Sequence, residues 1–189
     1  MNNKARLKDY EKSANEYWRW VQTGNDMLIA ALFLSNHYSG AIQELSEQKL
    51  AKFPLGYQVH APMLYLKAKA LENYLKALYI KQGKKVTNGN GKFTYKTHNL
   101  IKLSKNVGLD LNNSQTALLT KLSNTITFWG TYPIPVNYVD WRPNVEGIKG
   151  IQPIYTWGES DNTIFEKLLE KIVSTVDVTK DKNLPWFNK

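Results

Sequence analysis

Apolar positions recur every three or four residues along most of this chain, the spacing of helices that bury one face. Leu7, Tyr10, Ala14, Tyr17 and Val21 form the first such run, with Lys8, Lys12, Glu16 and Arg19 between them. Thr23-Gly24-Asn25 is expected to break it, and a second helix is expected from Asp26 to near Lys52. That helix carries Met27, Ala31, Leu34, Tyr38, Ala41 and Leu45 on one face, and Pro54 and Gly56 close it. A third helix, from about Tyr57 to Gly83, is the most apolar. Leu64, Ala68, Leu71, Leu75 and Leu78 make one stripe, and Met63, Leu66, Ala70, Tyr74 and Ala77 make a second beside it. A helix apolar on two sides needs cover on both, which places it centrally. Only Lys69, Glu72, Asn73 and Lys76 form a clear polar strip. If Leu71 and Leu75 are buried, replacing either by alanine should cost about 2 to 5 kcal/mol in a denaturant titration.

From Lys84 to Thr97 the composition turns to Lys, Asn, Gly and Thr, an exposed and mobile loop by its residues. His98 to Val107 reads as a short helix stopped by Gly108. Ser114 or a neighbouring Asn can cap the next helix, with Leu118, Leu122, Ile126 and Trp129 at helical spacing. Residues 130–158 then hold four prolines and the aromatics Tyr132, Tyr138, Trp141, Tyr155 and Trp157, which points to an irregular excursion packed by its own side chains. A last helix is expected from Asp161 or Thr163, where Thr163 and Glu166 have capping-box spacing, with Phe165, Leu168, Leu169, Ile172 and Val176 on its inner face. The tail, 180–189, is polar apart from Leu184-Pro185-Trp186-Phe187, which either docks on the helices or serves a partner. The pattern predicts an all-α fold, an antiparallel helical bundle, in a single domain spanning 1–189.

Composition narrows the chemistry. The 189 residues, 42% of them hydrophobic, suffice for one core without staples. With no cysteine, disulfides and thiolate metal sites are excluded, and a reducing cytoplasm is the expected location. The charged N-terminal stretch lacks the apolar core of a signal peptide, and the longest apolar stretch, Met27 to Leu34, falls short of the roughly 20 residues that span a bilayer, so no membrane is expected. Twenty-five Lys and Arg against sixteen Asp and Glu give a net charge of +9, which favours an anionic partner such as RNA, DNA or a nucleotide. Lysines that simply solvate the surface are the competing reading.

Three histidines and no His-Glu-x-x-His or paired Glu-x-x-His leave a metal centre without ligands, and no cofactor is expected. No phosphate-loop or dinucleotide glycine motif is present. Asn88-Gly89-Asn90-Gly91-Lys92 is a flexible loop or, less simply, a phosphate cradle. His98 can cap its helix, bond across the bundle or face a ligand, since neutral imidazole both donates and accepts. His60, before Pro62 at a helix entry, reads as structural, and His37 as polar and buried.

The order of a long apolar helix, a Gly-ended loop, Thr97-His98-Asn99-Leu100 and a helix running into Trp129-Gly130-Thr131-Tyr132-Pro133 resembles the HEPN superfamily, the nucleotide-binding helical bundles of higher eukaryotes and prokaryotes. Ala68 to Leu78 would pack the bundle centre. Thr97-His98-Asn99-Leu100 looks like the family's His-Asp-Leu turn. Thr131-Tyr132-Pro133 looks like its Arg-Tyr-Pro stop with Thr in place of Arg. The resemblance covers roughly Asp26 to Pro133. Family ribonucleases use an Arg followed four to six residues later by His. None of Arg6, Arg19 and Arg142 has such a His.

The resemblance therefore implies a non-catalytic protein that binds a nucleotide, RNA or a protein partner, in a defence or toxin-antitoxin setting, and pairs as a homodimer. Trp186 and Phe187 are candidate anchors of that pairing. No catalytic residue is assigned. His98, Tyr132, Lys76 and Arg142 are the candidate ligand-binding residues, although Arg142 also suits a surface salt bridge. The rival is a metal-independent ribonuclease with a displaced site formed by His98, Tyr132 and a lysine such as Lys76. A helical interaction protein with no nucleic-acid role is the third reading.

Overall fold

In a computed structural model the chain is described over residues 3–48, 60–129 and 157–176, without the side chains of 38–48 and 128–129. These residues are mostly helical. α1 spans Asn3–Ala14, α2 Tyr17–Gln48, α3 His60–Lys81, α4 Leu100–Asn106, α5 Asn113–Asn124 and α6 Glu159–Val176. The described residues contain no strand, only a single antiparallel bridge between Thr87 and Phe93. No helix among them is long and apolar enough to cross a membrane.

The first break lies nine residues before Gly24, the position expected to make it. Asn15 ends α1 because its side chain takes over backbone bonding. Its Nδ2 donates to the Glu11 carbonyl at 2.8 Å and to Thr87 Oγ1 at 2.7 Å, and its Oδ1 accepts from Val86 N–H at 2.9 Å. Trp20 Nε1 donates to the Ala14 carbonyl at 2.9 Å and fixes the angle of entry into α2. α2 then runs through Thr23-Gly24-Asn25, and Asp26 lies inside it instead of at its start. An interior glycine costs a helix about 1 kcal/mol, and here it makes room for a neighbour. A Cβ on Gly24 would stand 2.9 Å from Tyr74 Cε1. The Tyr74 hydroxyl donates to Asn25 Oδ1 at 2.7 Å, which satisfies both groups in the interior.

α3 is the element against which α2, α4, α5 and α6 all pack. Met63, Ala68, Leu71, Tyr74, Leu75 and Ala77 are fully buried, so the two stripes read from the sequence are both covered, and the cost expected for Leu71→Ala and Leu75→Ala applies. Gly83, at φ +82°, turns the chain out of α3.

The 84–97 segment is more enclosed than its polar composition suggests. Val86 and Thr87 are buried, and Thr94 N–H donates to the Val86 carbonyl at 2.8 Å to close the turn. α4 is capped by Asn99, not His98: Asn99 Oδ1 accepts from Lys102 N–H at 2.9 Å. α5 is capped by Asn112, with Gln115 completing a capping box.

Beyond α5 the helix widens into a π turn over Thr125–Trp129. Ser123, Thr125 and Thr127 there each donate a hydroxyl to the carbonyl four residues back, at 2.6, 3.0 and 2.9 Å, which competes with the regular ladder. α6 begins at Glu159, two to four residues early. Asp161 Oδ2 accepts from Gly158 N–H at 3.0 Å and stabilises this earlier start, while Thr163 bonds back within the helix to the Glu159 carbonyl. Its inner face is the expected one, extended by Val173. Most of the 130–158 excursion, the whole 180–189 tail, and with them Trp186 and Phe187, lie outside the described residues.

Candidate functional site

Lys69, Glu72, Asn73 and Lys76 stand on one face of α3, three and four residues apart, so their side chains meet. The sequence reads this face as a polar strip, which on a helix ordinarily meets water. The fold instead covers it. The Glu72 side chain is 3% exposed and both its oxygens are engaged: Lys76 Nζ lies 2.5 Å from Oε1, and Lys69 Nζ lies 2.8 Å from Oε2. His98, from the turn before α4, brings Nδ1 to 3.2 and 3.1 Å from the two oxygens. Leu100 N–H, two residues on, donates to Ser123 Oγ at 2.9 Å and moors that turn to α5.

Two aromatic rings roof the buried ammonium. Trp20 of α2 and Phe93 of the 84–97 segment stack with centroids 5.8 Å apart and planes 19° from parallel, and Lys76 Nζ is 5.5 Å from each centroid. A cation at this range gains from the ring faces while losing water. The segment holding Phe93 is tied to α1, where Glu11 accepts from the Thr87 hydroxyl and, at 2.7 Å, from Gly91 N–H.

Burial alone would raise the Glu72 carboxyl, but the adjoining Lys76 and Lys69 outweigh it and hold the group below the ordinary carboxylate range. Lys76 is also pushed down, because burial takes more from its ammonium than one carboxylate shared between two lysines returns. An ionised carboxylate only accepts, so His98 must donate from Nδ1. In the neutral ring this leaves the Nε2 lone pair free, on a side chain that is 50% exposed. One carboxylate faces two ammoniums and an imidazole. The cluster therefore has surplus positive charge, with His98 and the 20% exposed Lys69 at its rim.

Of the residues expected to bind a ligand, His98 and Lys76 meet on Glu72. Tyr132 and Arg142 lie outside the described residues. No Arg precedes His98 by four to six residues, yet His98 has cations near it, since Lys69 and Lys76 share its carboxylate. Glu72, Trp20 and Phe93 were not among the expected site residues. The polar strip on α3 was the only signal for Glu72, and nothing local marks the two rings. His37, expected to be buried, is exposed, edge-on to the Phe33 ring at 4.7 Å. No group of three or more His, Cys, Asp or Glu able to hold a metal occurs among the described residues.

A second cationic cluster joins α3 to α6. Lys67 is 2% exposed, its Nζ 2.9 Å from Asn162 Oδ1 and 4.3 Å from the centroid of the Trp157 ring. Asn162 Oδ1 also accepts from Trp157 Nε1 at 2.5 Å. Burial lowers the Lys67 ammonium to about 8, against the pull of Glu166 and Asp161. Burial, then Lys121 and Lys67, lower His60 as well. Lys121 is paired with Asp161 at 2.9 Å. Compared with protein-family models, with curated proteins and with solved structures, the chain matches none.

Proposed function

We propose that this chain is a HEPN-like antiparallel helical bundle that binds a phosphate-bearing ligand, a nucleotide or RNA, without cleaving it by the family's Arg-His route. The observation that carries the reading is the surplus of cations around Glu72 beside a half-open imidazole. A phosphate approaching Lys69 meets an ammonium already held in place by the buried carboxylate, and His98, oriented by the same carboxylate, adds a second donor through Nε2 when its ring carries both protons, so less ordering is needed on binding. The net charge of +9 adds attraction that is not specific to sequence. The same reading carries a homodimer in the cytoplasm and a defence or toxin-antitoxin role. Light scattering checks the dimer, against which a mass near 21.7 kDa would count.

A second reading, a metal-independent ribonuclease, is favoured by the Glu72-His98 pair itself. A carboxylate that fixes the Nδ1–H tautomer aims Nε2 outward as a proton acceptor beside two cations. One experiment separates the readings: titration of AMP and of a short single-stranded RNA, in EDTA, with product analysis. Weak, salt-dependent binding, reduced about tenfold or more by His98→Ala or Lys69→Ala with the RNA left intact, supports the binding protein. RNA cleavage abolished by His98→Ala makes the chain the enzyme. No binding even at low salt leaves a helical interaction protein.

A further inference from the structure

The groove between α1 and the 84–97 segment carries chemistry that the Glu72 site does not use. Lys4, Lys8 and Lys12 follow one another at four-residue steps on α1, each about 6 Å further along the helix axis, and so form a regular row of cations along one wall. Lys85 stands on the opposite wall, and the apolar Leu7 side chain lines the groove, which has a volume of about 720 Å³.

The carboxylates in this groove are turned to the fold's own use. Both oxygens of Glu11 accept from the facing segment, and the Thr87 hydroxyl, more than any other neighbour, holds its carboxyl below the ordinary range. Glu16 accepts from Arg19 Nε at 2.7 Å. Lys12 is 76% exposed and only loosely paired with Glu16, at 4.0 Å, and Lys85 acts on Glu11 through its charge without a direct contact, the last and weakest of the influences on that carboxyl.

The facing wall is built, not merely adjacent. Asn15 holds Val86 and Thr87, Glu11 holds Thr87 and Gly91, and Asn88 N–H donates to the Lys92 carbonyl at 3.1 Å. Gly89 and Gly91 take φ of +81° and +73°, which the tight turn requires. Because Gly91 N–H points at Glu11, the glycine-rich turn presents that donor to α1 and supplies the groove with a wall instead of a phosphate cradle.

We propose that this groove binds the phosphate backbone of single-stranded RNA, with Lys4, Lys8, Lys12 and Lys85 contacting successive phosphates. It takes the class of ligand from the nucleic-acid reading above but lies on different residues from the Glu72 site. An acidic peptide offers carboxylates on flexible stems in place of a regular row, so it fits the lysine ladder less well.

The test is fluorescence anisotropy of a labelled oligouridylate with the full chain, in EDTA, across a salt series. Lys8→Glu combined with Lys85→Glu is expected to weaken binding at least about tenfold, and to flatten the slope of log K against log salt by about 0.7 for each lysine lost. Lys102→Glu with Lys105→Glu on α4 makes the same change in net charge and should leave affinity within about twofold. An equal loss in both pairs would reduce the groove to bulk charge and overturn the assignment.

Glu11→Ala gives a reading of opposite sign. Removing a negative charge should tighten a purely electrostatic contact, whereas releasing the wall should weaken binding to a preformed groove. Tighter binding by this variant would therefore defeat the proposal. So would displacement of the RNA by poly-glutamate at equal charge. AMP binding should be unchanged in the Lys8 and Lys85 variants and reduced in His98→Ala. A native chain that binds the oligouridylate but not AMP would sink the Glu72 site and leave the groove standing. Should the double reversal fail to fold by circular dichroism, Lys8→Gln alone is expected to remove a single step of the slope.

Discussion

Glu72→Ala is expected to cost about 3–5 kcal/mol of unfolding free energy in urea at pH 7, among the largest effects of any single substitution outside the apolar core. The loss comes less from the missing carboxylate than from what stays behind. Lys76, 3% exposed beneath two aromatic rings, would have neither water nor counterion, so it either holds its charge at that cost or gives up its proton at a comparable one, and Lys69 would repel the charged form. Removing both ends with Glu72→Leu and Lys76→Leu should recover at least half of that loss, because apolar side chains of similar size suit a dry site. The acid limb gives an independent check. The Glu72 carboxyl is lowered in the fold, so its contribution is complete above the unfolded value and drains as pH falls through the folded one. The double variant should lose less stability in that window than the native chain. A loss below about 1 kcal/mol for Glu72→Ala would mean that water reaches the cluster and that the pair is an ordinary surface contact.

Lys67→Met is expected to act in the opposite direction, raising stability at pH 7 by about 1–3 kcal/mol. The Lys67 ammonium falls from 10.5 to about 8 through burial, a difference equivalent to about 3 kcal/mol held against the folded state below pH 8. Contact with the Trp157 and Phe165 rings and the bond to Asn162 offset part of it, and Asn162 keeps its Trp157 partner after the substitution. Between about pH 8 and 10.5 the unfolded chain binds this proton and the folded one does not, so the native protein gains stability from Lys67 as pH rises. The advantage of Lys67→Met should therefore shrink toward pH 10. The groups that face the ammonium are Glu166, Asp161, Lys121 and His60; of these, His60 is lowered partly by Lys67, and that part is relieved in Lys67→Met at a pH below the window compared. If Lys67→Met destabilises the protein, and does so most at pH 7, the rings and the amide hold the cation more strongly than burial opposes it.

The elements legible in the sequence were those set by apolar period alone: the two stripes of α3, the face of α6 and the run through Leu118 and Leu122. Boundaries were less legible wherever a side chain replaced a backbone partner. Asn15 ends α1 through contacts with residues about seventy positions away, and Gly24 continues a helix because Tyr74 needs the space; neither reason is local. Lys76 and His98 could be singled out for their chemistry, and the strip around Glu72 was visible. Its burial was not, because a polar face on a helix normally meets water, and Trp20 and Phe93 arrive from segments far away in the chain.

The gap at Gly24 also fixes how the roof over Lys76 can move. Tyr74 lies against α2 where no side chain intervenes, and its hydroxyl holds Asn25 beside it. Sliding α2 by one turn along α3 would bring Trp20 or Leu28 against that ring, where even a methyl group is too close. The two helices therefore have a single axial register, and shear between them is blocked. Trp20, one turn from Gly24, can uncover the ammonium only by rotating its own side chain or by fraying the first turn of α2. Access to the buried cluster is then governed by fast local rearrangement of Trp20 and Phe93, not by slow displacement of packed helices.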